Sequence, residues 1–419
     1  MTTLILAWRS LASRRTTALL SIIAIAVSIS LFVGVERIRI GAKSSFTSTI
    51  SGTDLIVGAR AGNVQLLLYS VFRIGNPTSN ISMNSLEAVK AHADVAWVVP
   101  ISLGDSHRGY RVMGTTNDYF KYYRYRNKQP LKFKQGRAFD DLFDVVVGAE
   151  IVEKLGYEVG TQIVVSHGIG AIDGAAHDNM PFRVSGILQR TGTPVDRTVH
   201  ISLEALEAIH IGWDSNNPIP ITEVSADLAR TLDLKPDSVT AALVGTKSRF
   251  GIFKTQRFIN QFKPEPLTAV LPGVALQELW TIIGVVETAL SAVSAMVVLT
   301  ALLGMVTMTL STLNERRQEL AILRSVGAHK TTIFLLLISE AALLSVSGIL
   351  FGVGLLYGLL FIIQPWIEQS YGLYLVISRP SLYELKSLCA IFLTACAVGI
   401  IPAFRAYRHS LADGMSVQR

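Results

Sequence analysis

Six of the eight histidines, His92, His107, His167, His177, His200 and His210, fall between residues 47 and 275, near Asp105, Asp173, Asp178, Asp196 and Asp214. Neutral imidazole and carboxylate are ligands that suit zinc. His167 and the pair His177-Asp178 bracket a Gly/Ala-rich loop that could fold back on itself. His167, His177 and Asp178 are therefore the candidate metal ligands, with water or another histidine completing the shell. No His-x3-His or cysteine pair gives metal-ligand spacing, so scattered surface or satisfied histidines are the simpler account. A second chemical group is Glu340, set in an apolar stretch from about Thr331 to Ile363. A carboxylate at membrane depth is costly and faces a bundle interior, where it makes a helix–helix hydrogen bond or carries a proton. No nucleophile–base set appears. No G-x-x-x-x-G-K-[ST] phosphate loop occurs either, and the nearest decoy, Val244-Gly-Thr-Lys-Ser248, lacks the adjacent Gly-Lys and the preceding Gly. The chain is not expected to be an enzyme.

The densest pattern is Asn314-Glu-Arg-Arg-Gln-Glu-Leu-Ala-Ile-Leu-Arg-Ser-Val-Gly327-Ala-His-Lys330. Leu320, Leu323 and Val326, with Ile322, form an apolar stripe, and charged residues take the other face. Gly327 is placed to end the helix in a left-handed cap. The segment reads as a short amphipathic helix on the cytoplasmic membrane face. An interfacial helix anchored by snorkelling arginines explains the pattern equally well.

The elements around these residues follow from composition. Of 419 residues half are hydrophobic and only 16% charged, against about a quarter charged in an ordinary globular domain. That excludes a fully soluble protein, a disordered chain and a disulfide scaffold. The net charge of +7 includes no run of five like charges and no basic stripe with interleaved aromatics, so nucleic acid is not an expected partner. Cys389 and Cys396, seven apart in an apolar segment, share one helical face and read as small buried hydrophobes.

Four stretches are long enough to cross a hydrocarbon core of about 30 Å. The first, Thr16 to Val35, is uncharged and too long for a cleaved leader, so it reads as a retained helix. The others lie at Thr288–Asn314, about Thr331–Ile363, and between Lys386 and Arg405. Arg9, Arg14 and Arg15, then Arg316, Arg317, Arg324 and Lys330, then Arg405, Arg408 and Arg419 occupy flanks that belong on the cytoplasmic side. Both termini are then inside and the long segment between the first two spans is outside. The second span reads as a helix from Ala275 to Asn314, about 60 Å at 1.5 Å per residue, which would project beyond the membrane as a stalk.

The outer segment, 47–275, has α+β patterning. Asp54–Ala59, Val95–Ile101, Tyr110–Gly114, Val145–Gly148, Gln162–Ser166, Phe182–Leu188 and Val199–Ile201 read as strands. Ser85–His92, Glu150–Leu155, Leu203–Ile209 and Arg249–Phe262 read as helices, the third capped by Ser202. Val64–Phe72 is strongly apolar and reads as core or stalk packing, or else as an apolar groove or membrane contact for a lipophilic cargo. Thr191–Arg197 reads as a structural turn.

Glu315-Arg316-Arg317-Gln318-Glu319-Leu320-Ala321-Ile322-Leu323-Arg324-Ser325-Val326-Gly327-Ala328 resembles the coupling helix of FtsX/MacB-type ABC transporter permeases. Glu340 with Ala341-Ala342-Leu343-Leu344 and Gly348, Gly352, Gly354 and Gly358 is similar to that family's third span, and Pro402–Ala406 to the end of its fourth. Ala7–Leu11 with Arg14-Arg15 resembles the lead into its first span. Leu155–Thr161 and Phe182–Leu188 resemble strand regions of its outer domain.

The fold so implied is a membrane protein of four transmembrane helices, with a large α+β extracytoplasmic domain inserted between helices 1 and 2. Its expected parts are a cytoplasmic lead (1–15), helix 1 with its stalk (16–46) and a periplasmic MacB-like domain (47–275). Then come stalk and helix 2 (276–313), a coupling helix (314–330), helix 3 (331–364), a short periplasmic loop (365–386), helix 4 (387–404) and a cytoplasmic tail (405–419). The resemblance implies an ATPase-coupling site at Glu315, Arg316, Arg317, Glu319, Leu320, Leu323, Arg324 and Gly327. It also implies two separate ATPase subunits that hold ATP and Mg, a second permease copy, and a bacterial inner-membrane location. A periplasmic adaptor or lipoprotein fits as a further partner. The expected work is export or extraction of a lipophilic, lipoprotein or peptide-like cargo. The alternatives are a regulator that transmits motion to a periplasmic partner, and a zinc-linked transport component, although known permeases of this type bind no obligatory metal.

Overall fold

The computed structural model describes residues 2–167, 180–211, 226–315, 317–371 and 379–408. The chain divides into a helical unit and an outer unit. Four helices are long and apolar enough to cross a membrane: Arg15–Thr49, Pro272–Glu315, Lys330–Tyr371 and Leu382–Arg408. Each runs past its apolar stretch, because hydropathy marks only the part suited to lipid while the helix continues to its own stop signal. Pro272 opens the second helix at a position where a missing N–H costs nothing. Ser381 and Glu384 open the fourth as a reciprocal cap: the Glu384 amide donates to the Ser381 hydroxyl at 3.1 Å, and the Ser381 amide to the Glu384 carboxylate at 2.8 Å.

One apolar cluster joins the four spans, with Ile25, Ile29, Leu302, Met305, Leu344 and Ala395 among its members. Close approach of the first and third spans depends on two glycines. A Cβ at Gly348 would lie 2.5 Å from Ile25 Cγ2, and one at Gly352 would lie 2.6 Å from the Ala26 carbonyl oxygen. The Ser30 hydroxyl donates to the Gly352 carbonyl at 2.6 Å across the same seam. Small residues at four-residue spacing let backbones meet in lipid, where no hydrophobic force draws helices together. Cys389 is exposed rather than buried, and Cys396 is half-buried. The expectation of two buried thiols is thus corrected: their helical face is not covered by this chain.

In the outer unit the sheet follows the order Leu267–Val270, Leu55–Ala59, Ala241–Thr246, Val95–His107, Tyr110–Thr115, Thr198–Ser202, Asp144–Val147, Phe182–Leu188, Phe133–Gly136. Thr198–Ser202 pairs in parallel with Tyr110–Thr115, and Phe182–Leu188 with Asp144–Val147, so the sheet is mixed. Leu55–Ala59 is buried along its whole length, as a strand covered on both faces must be. The helices Met83–Lys90, Ala149–Leu155, Leu203–His210 and Arg249–Asn260 lie where expected, and the Ser202 hydroxyl accepts from the Ala205 amide at 3.0 Å.

The apolar run Val64–Phe72 forms a helix, Asn63–Leu67, continued by a wider turn, Leu68–Phe72. Leu66, Leu67 and Tyr69 are buried in the core, which corrects the membrane-contact alternative for them. Thr191–Arg197 is a structural turn as expected. The Asp196 carboxylate accepts from the amides of Thr191 at 2.8 Å and Gly192 at 2.7 Å, and from the Thr191 hydroxyl at 2.8 Å.

Candidate functional site

The amphipathic segment is a helix, Arg317–Ser325. It ends at Gly327, whose φ of +101° is the left-handed conformation that suits glycine. The Gly327 amide donates to the Arg324 carbonyl at 3.0 Å, and the Ala328 amide to the Leu323 carbonyl at 3.0 Å. These two bonds close a Schellman cap and turn the chain sharply into the next span. The apolar stripe divides between two directions. Leu320 packs against the buried cluster that contains Leu313, Ile333, Leu337, Ala403 and Ala406, so it holds the helix to the bundle. Ile322 and Val326 are 62% and 83% exposed. Leu323 and Arg324 are half-buried.

Two contacts tie the corner down further. Lys330 Nζ sits 5.6 Å above the Tyr407 ring, and Arg14 Nη2 lies 3.5 Å from Glu319 Oε2. An exposed pair of that length contributes little by itself. Arg316 lies outside the described residues, as do the side chains of Glu315 and Arg317.

Glu340 is buried, 5% exposed. It borders a small cleft with Ser10, Arg14, Thr17, Thr309 and Thr312, residues drawn from the helices around it. The carboxylate is thus placed among hydroxyls and an arginine inside the bundle.

Among the described residues the histidines do not converge. The His107 ring nitrogens lie 2.6 Å from the Val164 carbonyl oxygen and 2.7 Å from the Tyr157 hydroxyl. Burial lowers its pKa, against the Val164 contact. His200 is fully enclosed, 3.2 Å from the Val146 carbonyl; burial, then the charge of Arg73, push it down to about 3. His210 lies 3.5 Å from Asp105 Oδ2. Burial works to lower its pKa, but the hydrogen bond and charge of Asp105 outweigh it and the net shift is upward. His107 and His210 are satisfied core or half-core histidines, whereas His200 is held through Nδ1 alone and its Nε2 is enclosed with no hydrogen-bond partner. Among the described residues no three His, Cys, Asp or Glu side chains gather closely enough to hold a metal. His167 enters a short strand whose backbone pairs it with Asp105; His177 and Asp178 lie outside the described residues.

A polar centre not anticipated from sequence lies in the helical unit. Arg37 Nη2 donates to Glu384 Oε2 at 2.8 Å and to the Tyr357 hydroxyl at 2.7 Å, while Arg37 Nε lies 2.5 Å from Glu384 Oε1. Nearby in sequence, Arg39 pairs with Glu36 at 2.6 Å and with Glu287 at 3.3 Å. The available signal was the charges that close each apolar stretch, which are here each other's partners.

Residues 18–241 match a family model described as the MacB-like periplasmic core domain, and residues 291–411 match one described as the FtsX-like permease C-terminal region. The macrolide export ATP-binding/permease protein MacB of Bdellovibrio bacteriovorus is 21% identical over 386 residues, covering 87% of this chain and 54% of that protein. The chain thus spans about half the length of this curated relative. Among solved structures, the periplasmic region of MacB from Actinobacillus actinomycetemcomitans is 13% identical, with a TM-score of 0.34, covering 55% of this chain and 94% of that one. The extracellular domain of the ABC-type transporter YknZ from Gram-positive bacteria is 14% identical, with a TM-score of 0.30, covering 52% of this chain and 98% of that one. The periplasmic-core model alone takes in more than half of the sequence, and the chain belongs to the FtsX/MacB-type permeases of ABC transporters.

Proposed function

We propose that this chain is the permease subunit through which a separate ABC ATPase drives an outer domain to export or extract a cargo across or from a bacterial inner membrane. In this scheme the ATPase carries ATP and Mg, two permease copies each seat one ATPase subunit, both termini lie in the cytoplasm and the outer unit lies in the periplasm. The observation that carries it is the division of the coupling helix. Leu320 fixes the helix to the bundle, whereas Ile322 and Val326 are held outward beside a rigid Gly327 cap. Exposed aliphatic groups on a short, firmly anchored helix are what a protein groove can grip and push, since force applied there reaches the third span directly. The 419 residues hold no phosphate loop, so ATP hydrolysis in this scheme comes from outside them.

The test is co-purification with a co-expressed ABC ATPase from detergent-solubilised membranes. Ile322→Asp and Val326→Asp should each cut the bound ATPase about tenfold or more while the permease stays folded, because a buried carboxylate has no partner in an apolar groove. Unchanged ATPase recovery with both variants would refute the docking assignment. The topology is tested separately by a reporter active only in the periplasm. Fused within 168–179 it should be active, and fused after Gly327 silent.

A further inference from the structure

The outer unit contains a cavity of about 570 Å³ that neither the coupling helix nor the histidines explain. Its wall is assembled from the Ser45–Thr49 helix end, the turn after Phe72, the hairpin at Gly109–Arg111, the start of the Ala149–Leu155 helix and the Gly192–Arg197 turn. One side is apolar: the rings of Phe46 and Phe72 stand 4.8 Å apart, with Ile74 and Pro194 beside them. The volume lies in the range of small-molecule sites.

The charges in this wall do not balance locally. Glu150 is already engaged, 2.7 Å from Lys154 Nζ and 3.4 Å from Arg197 Nε. Asp196 is consumed by the amides and hydroxyl of its own turn. That leaves Arg73 and Arg111, and among the described residues neither has a carboxylate partner. Arg73 follows the wide turn in a left-handed conformation, φ +61°. Its Nη2 lies 2.7 Å from the Met113 sulfur, while Nε and Nη1 are enclosed with no hydrogen-bond partner. Arg111 uses Nη2 alone, donating to the Gly75 carbonyl at 3.0 Å and the Asn76 side-chain oxygen at 2.9 Å. Burial, and then the charge of Arg73, lower the Arg111 pKa. Two enclosed guanidinium nitrogens without a partner on a half-buried arginine are a costly arrangement for a fold to keep.

We infer that this cavity binds an amphiphile with an anionic head, a phosphate or carboxylate seated between Arg73 and Arg111 and an aliphatic chain lying on Phe46, Phe72 and Ile74. Planar guanidiniums match the oxygens of such a head in bidentate fashion, and an anion supplies the carboxylate-like partner that neither side chain has among the described residues. The apolar wall distinguishes an amphiphile from a free ion. The assignment goes beyond the coupling scheme and needs no ATPase, so the two are tested apart.

The experiment uses the full chain in phosphatidylcholine nanodiscs, titrated calorimetrically with hexyl phosphate, inorganic phosphate and hexanol. Hexyl phosphate should bind at least about tenfold more tightly than either of the others. Arg73→Gln and Arg111→Gln should each weaken it by about tenfold. Ile74→Asp adds an anion at an exposed rim position that the core does not need, and should weaken it similarly with an unchanged circular dichroism spectrum. Affinity no better than that of hexanol, or indifferent to all three substitutions, overturns the site. Equal affinity for inorganic phosphate overturns the amphiphile assignment.

Discussion

Arg37 is a buried arginine in the helical unit and Arg73 a half-buried one in the outer unit, and their surroundings are opposite. Arg37 has Glu384 across two nitrogens and the Tyr357 hydroxyl as a third contact. Arg73 has a methionine sulfur and two nitrogens with nothing. The helical unit can keep a charge at the edge of an apolar bundle only by satisfying it within the chain. The outer unit has water on its flanks and a mixed sheet behind it, and leaves one cation unmatched beside a cavity. A paired buried ion belongs to architecture, and an unpaired one beside a cavity points to a missing ligand.

The comparison breaks most readily at the pair itself. Arg37→Ala would strand the Glu384 carboxylate, which is buried, and should cost about 3–5 kcal/mol. Thermal unfolding of the purified chain in detergent should show a drop of many degrees for this variant and for Glu384→Ala. The double change Arg37→Met/Glu384→Leu should recover most of the loss, because removing both charges also removes their desolvation. If the single variants unfold like wild type, the pair is not holding the bundle and the contrast with Arg73 fails.

The first–third span seam is the next test. Gly352→Leu drives a side chain into the Ala26 carbonyl, from which even a Cβ would stand at 2.6 Å. Overpacking of this kind costs about 1–3 kcal/mol. Gly354→Leu is the control, since a Cβ there meets nothing within 4 Å. Unfolding midpoints that fall equally for both would show that the seam does not depend on close backbone approach.

This seam also shows how far the residues alone reach. Four glycines in the third span are visible in the sequence, but only the rotation of the helix shows that Gly348 and Gly352 face the first span while Gly354 and Gly358 do not. The same holds for the amphipathic helix Arg317–Ser325: its stripe is legible, while the placing of Leu320 inward and of Ile322 and Val326 outward needs the neighbouring spans. Spans, caps such as Ser202 and Gly327, and strongly β-branched strands are local signals, and they were readable. Ala241–Thr246 and Leu267–Val270 were not, being short and rich in small residues, although both sit in the sheet. The Arg73 cavity left no sequence signal, since its walls come from segments up to about 150 residues apart that meet only through the sheet.

Within the outer unit, two histidines should give opposite pH dependences. The pKa of His200 falls from 6.5 to about 3 in the fold. Its contribution is therefore complete above 6.5 and lost as pH falls toward 3, at roughly 1.4 kcal/mol per pH unit. His210 is shifted upward by Asp105, so its contribution is complete below the ordinary histidine value and lost as pH rises through its folded value. Hydrogen exchange of the outer unit between pH 5.5 and 8 should show His200→Gln blunting the acid loss and His210→Gln blunting the alkaline loss. Identical profiles in wild type and both variants would remove the linkage.

The smallest expected effect is the one that bears most directly on the comparison. Arg73→Gln keeps a side chain of similar reach at the same left-handed φ, so backbone strain cancels between the two proteins. It removes a charge that has no carboxylate partner, and stability should change by less than about 1 kcal/mol or rise slightly, as happens when residues kept for binding are replaced. A drop like that of Arg37→Ala would mean that Arg73 is a structural ion after all. A second readout comes from His200, whose low pKa owes its largest part to burial and a further part to the Arg73 charge. In Arg73→Gln the His200 pKa should therefore rise while staying below the ordinary histidine value, because burial is unchanged. Nuclear magnetic resonance titration of the imidazole measures this. An unmoved His200 would show that the charge of Arg73 is neutralised locally, and the cavity would then have no unmatched cation to offer an anion.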